Sequence, residues 1–193
     1  MGILDVLRGG LRTPGGIRHG GRRLAEILAA HERFLRGDDT GARAELGGAD
    51  LSRADLRKAN LAYANFQGAK LEGANLHEAK LASADLSQAN LRRADLRKAD
   101  LTEAHLAGAD LTEALLGGAE AFRADLRGAK LRGADLGATN LRCAEVRGAD
   151  FSGAKMQTTI LREANLEGVD FSGVDLSTAL LPKGYRQAKA AKG

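Results

Sequence analysis

From Leu46 to Leu181 an apolar residue returns at every fifth position without insertion or deletion, which makes 28 consecutive five-residue units. The central residue is Leu in 22 of them and otherwise Phe66, Ala121, Val146, Phe151, Met156 or Phe171. Two places before the centre stands Ala in 24 units, the exceptions being Thr139, Thr159, Val169 and Val174, and the position between is Asp or Asn in 17. A period of five matches neither the 3.6 of a helix nor the two of a strand, so each unit must turn a corner. With Ala and the centre pointing inward, the residue between them faces out and the last two places form the turn. Gly ends 11 units, Gly48 and Gly128 among them, where a type II turn requires a positive φ. Units without it, such as Leu56-Arg57-Lys58 and Leu96-Arg97-Lys98, are expected to use a type I-like turn.

The motif Ala-(Asp/Asn)-Leu-x-x, as in Ala54-Asp55-Leu56-Arg57-Lys58 and Ala94-Asp95-Leu96-Arg97-Lys98, resembles that of the pentapeptide-repeat proteins, over about 140 of the 193 residues. The resemblance implies an all-β fold: a right-handed four-sided β-helix of about seven coils with four units to a coil, a rod of roughly 34 Å at ~4.8 Å per coil. Residue n should then lie beside n+20. The column Asp50, Lys70, Asn90, Asp110, Lys130, Asp150 sets Asp beside Lys at several steps, as cross-strand charge pairing favours. The stretch from Leu24 to Leu46 also resembles the helix and entry segment that precede the repeats in some bacterial members.

The flanks follow other rules. Residues 1–21 read as a flexible basic arm, Gly-rich and Arg-rich around Pro14. Residues 22–43 read as a capping helix and entry segment, since Leu24, Ile27, Leu28, His31 and Leu35 recur at helical spacing. An open solenoid end exposes apolar side chains and strand edges, so an N-terminal α-helical cap is the role expected here, ahead of a membrane-lying helix. The repeats occupy 44–181, and 182–193 is a basic tail.

The net charge of +4 hides an uneven distribution. Residues 1–36 carry seven Arg against three acids, residues 182–193 carry four basic residues and no acid, and the body from Gly37 to Leu181 has 18 Lys and Arg against 22 Asp and Glu. Cys143 is the one cysteine, so no internal disulfide forms, and neither a secretory signal nor an apolar run of the roughly 20 residues that span a bilayer is apparent. A cytoplasmic location is the expectation.

Catalytic chemistry finds little footing. No phosphate loop, paired-His metal spacing, nucleophile elbow or cysteine pair occurs, and His19, His31, His77 and His105 are scattered. The periodic Asp and Asn suit local bonds to turn backbone rather than a metal site. Arg142 beside Cys143 and Arg123 one coil below would favour a thiolate, against an inert surface thiol. No enzyme activity and no cofactor are expected.

Candidate partner-binding residues lie where the rule is broken. Arg92, Arg93, Arg97 and Lys98 gather four cations at one corner, with Arg57 and Lys58 two coils earlier, either as an acidic-partner patch or as a solvated face partly neutralised by Asp95, Glu72 and Glu78. Leu115 and Phe122 occupy places that are usually polar, next to the undersized centre Ala121. Either a bulge swings Phe122 inward or the pair is an exposed docking spot. At the C-terminal end Ile160, Phe171, Leu180, Leu181 and Tyr185 form a candidate interface. The resemblance makes a homodimer through these last coils plausible, the alternatives being a tail folded over the end or an unrelated partner strand.

The function expected is therefore a non-catalytic protein-interaction scaffold with a protein partner and no small-molecule substrate. Some pentapeptide-repeat proteins protect DNA gyrase by imitating DNA with a strongly acidic rod. The weakly acidic body here disfavours that topoisomerase-binding alternative. Contact of the basic ends with nucleic acid or a membrane surface is a lesser alternative.

Overall fold

A computed structural model describes residues 10–185. Parallel bridges join residue n to residue n+20 along the body, from Glu45↔Asn65 to Ile160↔Leu180, so each coil takes twenty residues and four units. Alanines and centres of successive units are buried and form one continuous core from Ala44 to Phe171. A fully buried leucine contributes about 1.5–3 kcal/mol relative to an exposed one, and the narrow interior is filled by repeating that contribution rather than by large side chains.

The hydrogen-bond accounting of one unit explains its sequence. Phe66 N–H donates to Asp85 O (2.7 Å), Asn65 N–H to Ala44 O (2.9 Å), Gly68 N–H to Ser87 O (2.9 Å) and Ala69 N–H to Phe66 O (2.9 Å). These bonds run to the coil above, to the coil below and across the turn. One donor is left over, the N–H of Gln67, and it is taken by the side-chain oxygen of Asn65 at 3.0 Å. The same Asx bond recurs at Asp50, Asp85, Asn90, Asp110 and Asp150. Asp or Asn before the centre thus satisfies the one turn donor that no backbone acceptor reaches.

The turns differ from the expectation in one respect. Every unit from the one ending at Gly48 to the one ending at Gly173 has positive φ at its last residue, including Lys58 (59°), Lys98 (57°) and thirteen other non-glycine residues. The residue before it never does. That is the sign pattern of a type II turn, so the type I-like turn expected for Gly-less units does not form. Each such side chain costs roughly 1 kcal/mol or more in the left-handed region, but a differently shaped turn would misplace the inward Ala and centre of the next unit. The ladder imposes one turn shape on all.

Before the repeats, residues 10–21 have defined contacts. Arg12 pairs with the first coil through Arg12 N–H to Arg53 O (2.7 Å) and Asp55 N–H to Arg12 O (2.9 Å), and Ile17 is fully buried against the core. A 3-10 turn at Pro14–Gly16 leads into strand β1 (Arg18–His19), which pairs antiparallel with β2 (Arg22–Arg23). Gly20 and Gly21 join them with φ of 55° and 79°, the two positive values that a type I′ hairpin needs. Part of the stretch assigned to a flexible arm therefore belongs to the folded N-terminal end; residues 1–9 of that arm lie outside the described residues, as do residues 186–193 of the tail.

Helix α1 (Leu24–Leu35) follows directly. Its buried residues are Leu24, Ile27, Ala30 and His31, so the amphipathic pattern faces the first coil as a cap. Gly37 (φ 75°) ends it, with Gly37 N–H to Phe34 O (3.0 Å) and Asp38 N–H to Arg33 O (3.0 Å) closing a Schellman motif. His31 is buried, and its Nδ1 accepts from Ala44 N–H at 3.1 Å, which locks cap to coil. Burial holds the His31 pKa below 6.5, with the Arg43 charge pulling the same way and the Ala62 carbonyl and Glu32 pulling less strongly against it. The imidazole is neutral, with Nδ1 as the acceptor, and its Nε2 makes no hydrogen bond of good geometry among the described residues.

Candidate interaction surfaces

The six cations proposed as a patch are brought to one side of the rod, but five are already engaged. Arg57 grips Asp55 and Arg97 grips Asp95, each through Nε and Nη2 at 2.7–2.8 Å. Lys58 meets Glu78 at 3.5 Å, Arg92 meets Asp110 at 3.5 Å and Arg93 meets Glu113 at 2.6 Å. Lys98 has no ion pair among the described residues. Two of these pairs, Lys58–Glu78 and Arg93–Glu113, join n to n+20 at the corner position. Opposite-charge stacking therefore occurs two places after the centre, at the turns, whereas the sequence placed it in the Asp50–Lys70 column one place before the centre. The neutralised face is the arrangement observed.

Asp95 is the extreme case. Its side chain is 2% exposed, and it also accepts Arg97 N–H at 3.1 Å. Burial raises its pKa, yet the hydrogen bonds from the Arg97 side chain and backbone together with the Arg97 charge outweigh burial and hold the carboxyl below 3.8.

No bulge forms at the second irregularity. Ala121 sits in phase, buried, with Ala121 N–H to Asn140 O at 2.8 Å and Glu103 N–H to Phe122 O at 2.9 Å. Phe122 stays on the outside, half-buried, with the Arg123 guanidinium 5.7 Å from its ring centre. Leu115 is likewise half-buried in the outward ladder between Asp95 and Asp135. Sequence reasoning missed Tyr63, whose 56% exposure is the largest among the big apolar side chains of the described residues; its place in an ordinary polar turn position was the available signal.

Cys143 is half-buried and donates to Glu163 Oε2 at 3.4 Å. Burial and then Glu163 push its thiol pKa up, against the smaller opposing charges of Arg142 and Arg123. The arginines that suggested a thiolate are outmatched, because Arg142 and Arg123 are themselves paired with Glu163 and Glu103.

At the C-terminal end Phe151 and Phe171 stack with ring centres 5.5 Å apart, and Tyr185 meets Phe171 edge-on at 6.3 Å. Ile160 bridges to Leu180, Leu181 is half-buried, and Leu180 is 41% exposed. Burial raises the Tyr185 pKa above 10. The sequence-proposed set thus gathers at one end, where Tyr185 packs on Phe171. A cleft of about 480 Å³ beside Arg162, Leu180, Leu181 and Pro182 opens on it. Among the described residues no group of His, Cys, Asp or Glu is arranged to hold a metal ion, and no helix is long and apolar enough to cross a membrane.

A ladder of twenty-residue coils with Ala and Leu inside and Asx-bonded turns outside defines a stacked-coil repeat protein. The pentapeptide repeats family is matched in eight copies over residues 42–77, 79–118, 122–157 and 155–178. HetL, a pentapeptide repeat protein involved in heterocyst differentiation regulation from the cyanobacterium Nostoc sp. strain PCC 7120, is 33% identical over 71% of this chain and 82% of its own, with a TM-score of 0.40. A pentapeptide repeat protein from the cyanobacterium Cyanothece 51142 is 31% identical over 53% of this chain and 63% of its own, with a TM-score of 0.32. QnrB1, a plasmid-mediated fluoroquinolone resistance protein, is 20% identical over 78% of this chain and 82% of its own, with a TM-score of 0.51. No curated protein sequence matches. The chain belongs to the pentapeptide repeat family, and its relatives imply a right-handed β-helix.

Proposed function

We propose that this chain is a non-catalytic interaction scaffold, a four-sided right-handed solenoid of about seven coils that acts in the cytoplasm by binding another protein. The observation that carries this reading is the contrast between the body and its C-terminal end. Along the body most of the corner cations, including Arg57, Lys58, Arg92, Arg93, Arg97, Arg123, Arg127 and Arg142, are matched by carboxylates within the rod, which reduces the unbalanced charge for a partner to recognise. At the end, Leu180 is exposed, and among the described residues the ring that lies over Phe171 from the C-terminal side is Tyr185. A second copy of the chain meeting this end through the exposed Leu180 is the arrangement we favour.

The DNA-mimicking, gyrase-binding alternative gains no support from the surface, because the carboxylates are interleaved with and gripped by guanidinium groups. The likeness to a fluoroquinolone resistance protein concerns the fold alone at 20% identity. A pull-down from the native host, comparing the intact chain with a Leu180→Asp variant, tests the scaffold reading. A protein retained in stoichiometric amount by either form supports it, and retention of none by either overturns it. In a supercoiling assay the protein is expected to leave gyrase unaffected; inhibition or protection at micromolar protein would restore the alternative.

A further inference from the structure

The N-terminal hairpin departs from the charge logic of the body. In β1 and β2 the cross-strand pairs are Arg18↔Arg23 and His19↔Arg22, so in the first pair two like charges stand directly opposite one another, an arrangement that weakens a ribbon. Arg18, Arg22 and Arg23 are exposed and form no ion pair among the described residues. Their side-chain bonds go to carbonyls only, Arg18 Nη1 to Gly21 O at 3.2 Å and Arg22 Nη2 to Glu26 O at 3.4 Å. Most body arginines, Arg57, Arg93, Arg97 and Arg127 among them, hold a carboxylate; Arg132, Arg147 and Arg162 are exposed without an ion pair among the described residues but stand singly on separate corners, whereas the hairpin gathers three arginines within six residues. Since side chains alternate between faces along a strand, Arg18 and Arg23 project from one face of the ribbon and Arg22 and His19 from the other. The tip, Gly20–Gly21, carries no side chain.

We infer that this hairpin is a phosphate-contacting ribbon for double-stranded DNA, bound through its backbone without sequence preference. The B-form major groove, about 12 Å wide and 8.5 Å deep, admits a two-stranded ribbon between two walls of phosphates. Cations on both faces suit two walls, whereas a planar anionic bilayer would engage one face. The ribbon also lacks any large apolar side chain to enter a bilayer. No Phe, Tyr or Trp lies between Gly10 and Arg33 to stack unpaired bases, which argues against a single strand. Guanidinium forks match phosphate oxygens, and a bound phosphate relieves the cross-strand repulsion that the free ribbon carries. The inference is independent of the C-terminal contact proposed above.

The test is fluorescence anisotropy of a labelled mixed-sequence DNA duplex titrated with the intact chain at several salt concentrations. Three arginines on phosphates give a log–log salt slope near −2.7, about a 40-fold loss between 50 and 200 mM salt. The Arg18→Ala/Arg22→Ala/Arg23→Ala variant, with far-UV circular dichroism unchanged, is expected to bind at least tenfold more weakly at 50 mM salt and to lose most of that slope. The matching triple Lys variant is expected to keep the slope. An RNA duplex of the same sequence should bind less well, since its deep, narrow major groove shuts the ribbon out. The inference is overturned by absence of binding at 100-fold excess protein in 50 mM salt, an unchanged slope in the triple Ala variant, equal affinity for the RNA duplex, or retention on phosphatidylserine vesicles without retention of DNA.

Discussion

Removing the Asp95 carboxylate separates what the motif does for the turn from what it does for charge. Asp95 and Asp55 make the same three bonds to the Arg two places on, but the Asp95 side chain is 2% exposed and that of Asp55 is 24% exposed. Asp55→Ala strips a turn donor that water can reach, and should cost about 1 kcal/mol. Asp95→Ala leaves the Arg97 N–H and guanidinium facing a dry site. Breaking a buried pair costs roughly 3–5 kcal/mol, and because Arg97 is 38% exposed part of that is recovered by hydration, so about 3 kcal/mol is expected here. Asp95→Asn keeps the acceptor for the Arg97 N–H and should fall between, at about 1–2 kcal/mol. Guanidinium unfolding followed by far-UV circular dichroism measures all three, and a double-mutant cycle with Arg97→Ala isolates the pair. Equal losses for Asp95→Ala and Asp55→Ala would refute the reasoning, since burial would then add nothing to the pair.

Other outcomes follow from the same geometry. Gly128 has φ 63° and open space around it, so Gly128→Ala should destabilise by about 1 kcal/mol, while Ala138→Gly at φ 56° should stabilise by about 0.5 kcal/mol after the added unfolded-chain entropy; a type I turn would reverse the sign of the latter. For His31, whose folded pKa lies below 6.5, the unfolded chain binds the proton more readily. Cap stability should therefore be full above pH 6.5 and decline as pH falls from there toward the folded value. Hydrogen exchange at the Ala44 amide is the readout, and protection that instead rises on acidification would contradict it. Asp95, with a depressed pKa, contributes stability that is present above 3.8 and lost as pH falls through its lower folded value, a loss the Asp95→Asn variant should not show.

Much of the fold was legible because one period dictates both burial and hydrogen bonding. The Ala and Leu positions and the local role of Asp and Asn follow from a chain that must turn a corner every five residues, whereas the twenty-residue stacking came from the resemblance to pentapeptide-repeat proteins and is seen in the n to n+20 bridges. Turn shape in Gly-less units was not legible, because local propensity disfavours positive φ for Lys58 or Glu113 and only the ladder overrides it. Nor was the position of Phe122, where the ladder again held the phase and left the ring outside. The folded part of the N-terminal stretch rests on Ile17 and on two-residue strands too short to show a pattern. For the candidate site, the sequence showed the cations and, in Asp95 and Glu78, two of the acids that neutralise them, but not which acid each cation takes, since corner residues n and n+20 pair across coils while Arg97 folds back on Asp95.

Sedimentation velocity of the intact chain, compared with Leu180→Asp, tests most directly the claim that function resides at the C-terminal end. The account predicts a concentration-dependent dimer for the natural sequence and a monomer of unchanged far-UV circular dichroism for the variant. A natural chain that stays monomeric up to high micromolar concentration, or a dimer indifferent to Leu180→Asp, would contradict it.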